Sequence, residues 1–417
     1  MNPSQRRAIN YAIVGGIALF IILFACWLQK PPLPLPPEPP VFERAGPQPQ
    51  HAELPDLPTL DEPQPQKPLA QTEQSATTNA AAIYRQAFAL YDALSKDEKG
   101  VLTDWRTNVD ATVEAELCEK MRPICDLMHQ ATAVTNCDWG LDNPLTFDSK
   151  LPHLAPARNV SRAVIWNAAH CRQGDVNGAG EDVLSTLHLG QSVSHSALIG
   201  SLVDLAIQGI ATSYVAANIG LFRGNDAQRI TNLLSDPAYD EVPSQAMEQE
   251  AGIHERLIAK LAALPPEEFE KQLAELIKDF GGPDKVEGVS QLDRVAVLAG
   301  LRQVADSQRA MARALASGSI DEYNASMQQN DDLQQSNPMA KAFLPAYDKY
   351  LDRVQRGEVN RALIEAGLAV AQEGPNALSA HLDPSTDQPF VYSETADGFE
   401  LQSGYKTNGV PLTMRFK

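Results

Sequence analysis

Residues 197–222 read ALIGSLVDLAIQGIATSYVAANIGLF, and the placing of this one segment decides the fold. It is long and apolar enough to cross a bilayer, since about 20 residues rising about 1.5 Å each span the hydrocarbon layer. Asp204 and Gln208, one helical turn apart, fall on the same face, and Asn218 follows. A carboxylate in mid-bilayer is costly, whereas a helix rich in Gly, Ala and Ser packs closely inside a helical protein. The segment is therefore predicted as the core helix of a mainly α protein.

Helical spacing continues on both sides of it. Tyr84, Phe88, Tyr91 and Leu94 stand at i, i+4, i+7 and i+10, one side of a helix. Ser95-Lys96-Asp97-Glu98 reads as a capping box opening the next helix. Residues 266–280 place Phe269, Leu273, Leu276, Ile277 and Phe280 on one face, between leading prolines and Gly281-Gly282-Pro283. After Pro375 the pattern shortens: 388–392 and 399–402 are strand-like, Thr395-Ala396-Asp397-Gly398 separates them, and Asn408-Gly409 is a hairpin signal before 410–416. These runs predict an antiparallel β-meander over 376–417 beside an α-helical domain over 79–375.

Upstream, residues 8–28 (AINYAIVGGIALFIILFACWL) carry no charge and one strongly polar residue, Asn10. As a helix they span roughly 31 Å, the thickness of the bilayer core. Arg6 and Arg7 precede the run, so the positive-inside rule puts residues 1–7 in the cytoplasm and everything from Pro31 outside. The other reading is a lipoprotein signal ending Leu23-Phe24-Ala25-Cys26, with lipid on the Cys26 thiol; either way the remainder is exported. Between Pro31 and Pro68 lie 14 of the 30 prolines. With acidic and Gln fill between them, residues 29–78 are expected to be disordered and to act as a spacer rather than as a ligand for a proline-binding domain.

With 34 Lys plus Arg against 53 Asp plus Glu, the net charge is -19. Nucleic acid and anionic headgroups are disfavoured as partners, because both need basic surfaces. There is no P-loop, no GxGxxG after a strand, no GxSxG elbow and no kinase signature.

Three stretches carry resemblances. Gly174-Asp175, Ala179, Asp182 and Leu187 resemble the turn and second helix of a tetratricopeptide repeat, with Asn167 and His170 standing where that repeat usually has Gly and Tyr. No second copy follows at a 34-residue period, which implies a TPR-like hairpin rather than an array. Cys137-Asp138-Trp139-Gly140, Leu151-Pro152-His153-Leu154 and Arg158 are similar to a group of uncharacterised bacterial membrane-anchored helical proteins. That resemblance implies a single-pass protein of the bacterial cytoplasmic (inner) membrane, with its C-terminal domain in the periplasm. Asp383-Pro384, Pro389-Phe390, Tyr392, Gly398-Phe399, Leu401 and Ser403 look like the C-terminal hairpin of secretion pseudopilins, although the pilin processing motif is absent.

Four cysteines, Cys118, Cys125, Cys137 and Cys171, fall in the exported region. Their even number favours two disulfides, with three connectivities open. Cys118 and Cys125 would stand about 10.5 Å apart along a straight helix, too far to bridge; Pro123 is expected to break or start a helix between them. A metal site from Cys118, Cys125, His129 and Cys137 matches no zinc spacing. Glu250 and His254, at i and i+4, form a polar pair of acid–base type. His188 and His195 share a face, and His153 reads as structural. No catalytic residue, cofactor or metal site is assigned. The expected function is a membrane-tethered, non-catalytic scaffold or protein-interaction module of the cell envelope, with one anchor helix in the membrane and a protein partner. The alternatives are a membrane-tethered hydrolase using Glu250, His254 or another acidic cluster, and an accessory of a secretion or pilus-like assembly.

Overall fold

The computed structural model describes residues 79–194, 197–279, 289, 292–317, 320–407 and 409–417. The anchor reading of 8–28, the lipidation reading of Cys26, the spacer reading of 29–78, and the expectations for His195, Phe280 and Asn408 lie outside the described residues.

Helix α1 (Ala80–Asp92) starts where the Asn79 side chain accepts a hydrogen bond from the Ala81 N–H, and it buries Tyr84, Phe88 and Tyr91. The capping box is present at α2 (Lys96–Val101): Ser95 Oγ accepts from the Glu98 N–H, and the Glu98 carboxylate accepts from the Ser95 N–H. In α3 (Ala111–Thr132) Pro123 lies inside an uninterrupted helix, contrary to the break expected there. Pro123 is exposed, so the carbonyl one turn back, which loses its N–H partner, is left to water.

The α4 (Leu154–His170) and α5 (Val176–Ser194) helices form the expected hairpin. Gly174 takes φ +84° in its turn, a conformation that costs glycine little. Helix α6 (Ala197–Ala217) is the core helix read from its sequence: 56% of its apolar window is buried inside the protein. Then follow α7 (Asn225–Leu234), α8 (Ala238–Ala263), α9 (Pro266–Asp279) and α10 (Arg294–Ser317). The chain continues through α11 (Ile320–Ser336), α12 (Pro338–Phe343) and α13 (Pro345–Glu373). Helix α9 buries Phe269, Leu273 and Leu276, three residues of the predicted face. Arg309 of α10 reaches both Glu248 and Glu255 of α8.

A 3-10 turn, Pro375–Ala380, leads into β1 (Leu382–Asp383) and β2 (Gln388–Pro389), which pair antiparallel. Strands β3 (Val391–Thr395), β4 (Gly398–Thr407) and β5 (Val410–Phe416) form a three-stranded antiparallel meander in that order. Tyr392 stands opposite Leu401 and Phe399 opposite Phe416, with an irregularity between Gln402 and Lys406. The buried Asp383 carboxylate ties the short ladder to β4 by accepting from Ser385 N, Ser403 Oγ and Gly404 N.

Two hydrophobic clusters form the core. One draws on residues from Ala80 to Ile207 and includes Trp139, which stacks on Tyr84, Phe88 and His153. The other joins α4 to α7 and α13 with the sheet through Phe399, Leu401 and Phe416, so the meander and the helices share one interior. The sheet seats on a notch at Gly367 of α13, where an added Cβ would come within 2.2 Å of the Phe416 ring. Gly367→Val is expected to destabilise by about 1–3 kcal/mol through overpacking. Gly209→Ala, in the open on α6, should gain up to about 1 kcal/mol of helix propensity. Urea denaturation of the two variants tests this, and midpoints that move in the same direction would contradict it.

Candidate functional site

Ser201, Asp204, Gln208 and Thr212 recur at three- and four-residue intervals, so they line one face of α6. All four are buried. Three other helices meet this polar stripe. From α13, Tyr350 Oη stands 3.0 Å from Ser201 Oγ, and Arg361 Nη1 donates to Gln208 Oε1 at 3.5 Å. From α8, Tyr239 lies under the Arg361 guanidinium, 5.0 Å from ring centroid to Cζ, and Asp240 lies 3.7 Å from Arg361 Nη2. From α5, Gly190 leaves the space that Asp204 fills: a Cβ there would sit 2.5 Å from Asp204 Oδ1.

The stripe is incompletely satisfied. Asp204 Oδ1, Gln208 Nε2 and Tyr239 Oη have no hydrogen-bond partner among the described residues, an arrangement that is uncommon for buried polar groups. Burial pushes the Asp204 carboxyl up to about 7, while the neighbouring Gln208 carboxamide and Arg361 guanidinium pull the other way. Burial also raises Glu358 and Glu365 on α13, and Arg361 again opposes the rise. One guanidinium thus faces several acids, the kind of strained electrostatics that often lies near a working surface.

Two concavities flank this cluster. One of about 300 Å³, between α5 and α7, is lined by Leu184, His188, Arg229, Asn232, Leu233 and Asp236. The second, of about 150 Å³, is lined by Gln191, Ser194, Asp236, Ala238, Tyr239 and Val242. Asp236 belongs to both, and Tyr239 connects the second to the buried stripe. Arg229 Nη2 is bound to Glu181 at 3.2 Å and Arg229 Nη1 lies 3.8 Å from Asp226. Burial, followed by the nearby Arg229, lowers the pKa of His188. The larger concavity has an apolar floor and a polar rim, a surface on which side chains of another protein can seat.

A second buried cluster is fully partnered. Asp182 accepts from Asn167 Nδ2 at 2.7 Å and Arg172 Nε at 3.3 Å, and its Oδ1 lies 2.8 Å from His129 Nε2. Cys125 adjoins it one helical turn before His129, so a thiol, an imidazole and a carboxylate are brought together. Burial, then the Asp182 charge, pushes this thiol well above its ordinary range, which keeps it from being the thiolate that nucleophilic chemistry needs. The cluster is structural. Asn167 is spent on Asp182, and His170 stacks on Trp166 while its Nε2 lies 3.0 Å from the Trp105 carbonyl.

The expected two disulfides reduce to one. Cys118 and Cys171 are bonded, 53 residues apart in sequence, whereas Cys125 and Cys137 are free thiols. These two are held by different neighbours: Cys125 by Asp182, and Cys137 by Ser192 and the Ala81 backbone. The disulfide also removes Cys118 from the four-residue metal set. Of the Glu250 and His254 pair, the His254 Nδ1 lies 3.1 Å from the backbone carbonyl of Glu250. His254 is buried with its ring edge-on to Phe343, and burial lowers its pKa. His153 is buried at the entry of α4 and stacked on Trp139, and its side chain makes no cap hydrogen bond there. Tyr239, Arg361 and Asp236 were not singled out by the sequence; the one local signal is Asp236-Pro237, where Asp236 Oδ1 accepts from the Ala238 N–H at the start of α8. No protein family model, curated protein or solved structure matches the chain.

Proposed function

We propose that this protein is a membrane-tethered, non-catalytic interaction module of the bacterial cell envelope, whose α5–α7 groove receives a segment of a protein partner. The observation that carries the reading is the groove itself: Leu184 and Leu233 form an apolar floor, and His188, Arg229, Asn232 and Asp236 a polar rim. Such a surface suits the side chains of a docked segment. The Cys118–Cys171 bridge supports export, since disulfides persist in oxidising compartments. Arg6 and Arg7 before the apolar run 8–28 support an anchor with its N-terminus inside. The α4–α5 hairpin, with Gly174 in the turn and buried Ala179 in its packing seam, supports a TPR-like character.

The test is a photo-crosslinking amino acid placed at exposed Asn232 in the full chain, in cells. The control carries it at Val113, exposed on α3. A discrete adduct from position 232 and none from 113 is the expected result. Identical adducts from both positions, or none from 232, overturn the reading.

A further inference from the structure

We propose that the segment received by the groove presents a basic side chain, Lys or Arg, to Asp236; this inference rests on the interaction reading above. Asp236 is the wall common to both concavities. Its Oδ1 accepts from Ala238 N at 2.9 Å and its Oδ2 from Gln191 Nε2 at 3.3 Å. Both donors are neutral; the Asp236 charge also acts on His188 across the concavity, but burial and then Arg229 lower the pKa of that ring and favour its neutral form, and among the described residues no Lys or Arg pairs with this carboxylate. The two arginines nearby are already committed. Arg229 is held by Glu181 and Asp226, and Arg361 by Asp240, Gln208 and the Tyr239 ring. The groove is therefore left with an unmatched negative charge at its waist, where a cation of the partner meets it.

The smaller concavity fits the rest of such a side chain. Its volume of about 150 Å³ is of the size that admits a six-membered hydrocarbon ring, enough for an aliphatic stem. Its lining combines the apolar Val242 and Ala238 with the polar Tyr239, Ser194 and Gln191. Tyr239 lines the same concavity, while its Oη is sealed inside and has no partner among the described residues. Leu184 and Leu233 then take an apolar neighbour of the basic residue.

The probes are two fluorescein-labelled pentapeptides, Ala-Leu-Ala-Lys-Ala and Ala-Leu-Ala-Glu-Ala, titrated against the full chain in a nonionic detergent and followed by anisotropy. The lysine peptide is expected to bind at least tenfold more tightly than its glutamate counterpart. Asp236→Asn should abolish that preference, and Glu116→Gln, an exposed carboxylate removed from α3, should leave it. Asp236→Ser keeps an acceptor for the Ala238 N–H and should repeat the loss, so a folding fault in the Asn variant does not decide the matter. Equal binding of the two peptides overturns the proposal, as does a preference that Glu116→Gln erodes as much as Asp236→Asn does. A position-232 adduct combined with no lysine preference sinks the basic occupant alone; absence of the adduct sinks the interaction reading itself.

Discussion

Asp204→Asn is expected to stabilise the protein by about 4 kcal/mol near pH 8 and to remove the loss of that size that Asp204 imposes between about pH 4 and pH 7. In the folded chain the Asp204 carboxyl is raised from 3.8 to about 7, burial being the chief cause. Each pH unit of displacement is worth about 1.4 kcal/mol, which gives about 4 kcal/mol in all. The sign follows from which state holds the proton. Below pH 4 both folded and unfolded chains are protonated at this position, and the group is neutral in its effect. As the pH rises toward 7 the unfolded chain ionises freely while the folded chain keeps its proton, so folding becomes progressively less favourable. Above 7 the loss is complete and constant.

Glu358 and Glu365, also raised, act in the same direction, while His188 and His254, lowered by burial, oppose it by weakening the fold as the pH falls. These contributions are common to both proteins, so the difference between wild type and variant isolates Asp204. Urea denaturation at pH 5 and pH 8 measures it. Parallel losses in the two proteins would show that the stripe on α6 is solvated and that its electrostatics have been misjudged.

Breaking the Cys118–Cys171 bridge should cost a similar amount. The bond closes a loop over a separation of 53 residues, and the chain-entropy model assigns on the order of 4 kcal/mol to a loop of that length. It fastens α3 to the end of α4. The double variant Cys118→Ala with Cys171→Ala should therefore unfold at a markedly lower urea concentration than the oxidised parent. It should also unfold together with a parent treated with reductant. Alkylation gives an independent reading: in denatured but unreduced protein, Cys125 and Cys137 should label and Cys118 and Cys171 should not. Peptide maps with label on Cys118 before reduction would remove the bridge from the account.

The helices were legible in the sequence where a local rule had no competitor. The polar pair Asp204 and Gln208 marked α6 as interior, the Ser95–Glu98 box opened α2, and the apolar face of 266–280 fixed α9. Pro123 misled because a proline within a helix removes one hydrogen bond of the ladder without having to end it: exposed Pro123 in α3 and buried Pro243 in α8 both lie inside continuous helices. The cysteine pairing was illegible for a different reason: it depends on where α3 ends relative to α4, a relation no spacing records. The site suffered most. Asp204 was visible as a buried acid, but Tyr239 and Arg361 come to its stripe only when α8 and α13 have packed against α6, and Asp236 sits on the turn that leads into α8. Glu250 and His254 had suitable spacing, but spacing did not tell that the histidine ring lies against a backbone carbonyl and packs on Phe343.

The two hydrophobic clusters differ in when they can exist. The first is complete in residues up to Ile207, whereas the second needs Leu401 and Phe416. During synthesis the residues up to Ile207 can condense on their own, while the neighbouring apolar surface of α7 and α13 waits, bare, for strands that emerge after it. Such vectorial assembly exposes a sticky intermediate for as long as β5 is missing. A frameshift or stop codon within the final strand would thus be far more damaging than its position suggests. It would leave helices that still form and an interior that never shuts, the kind of product that engages holdases and proteases.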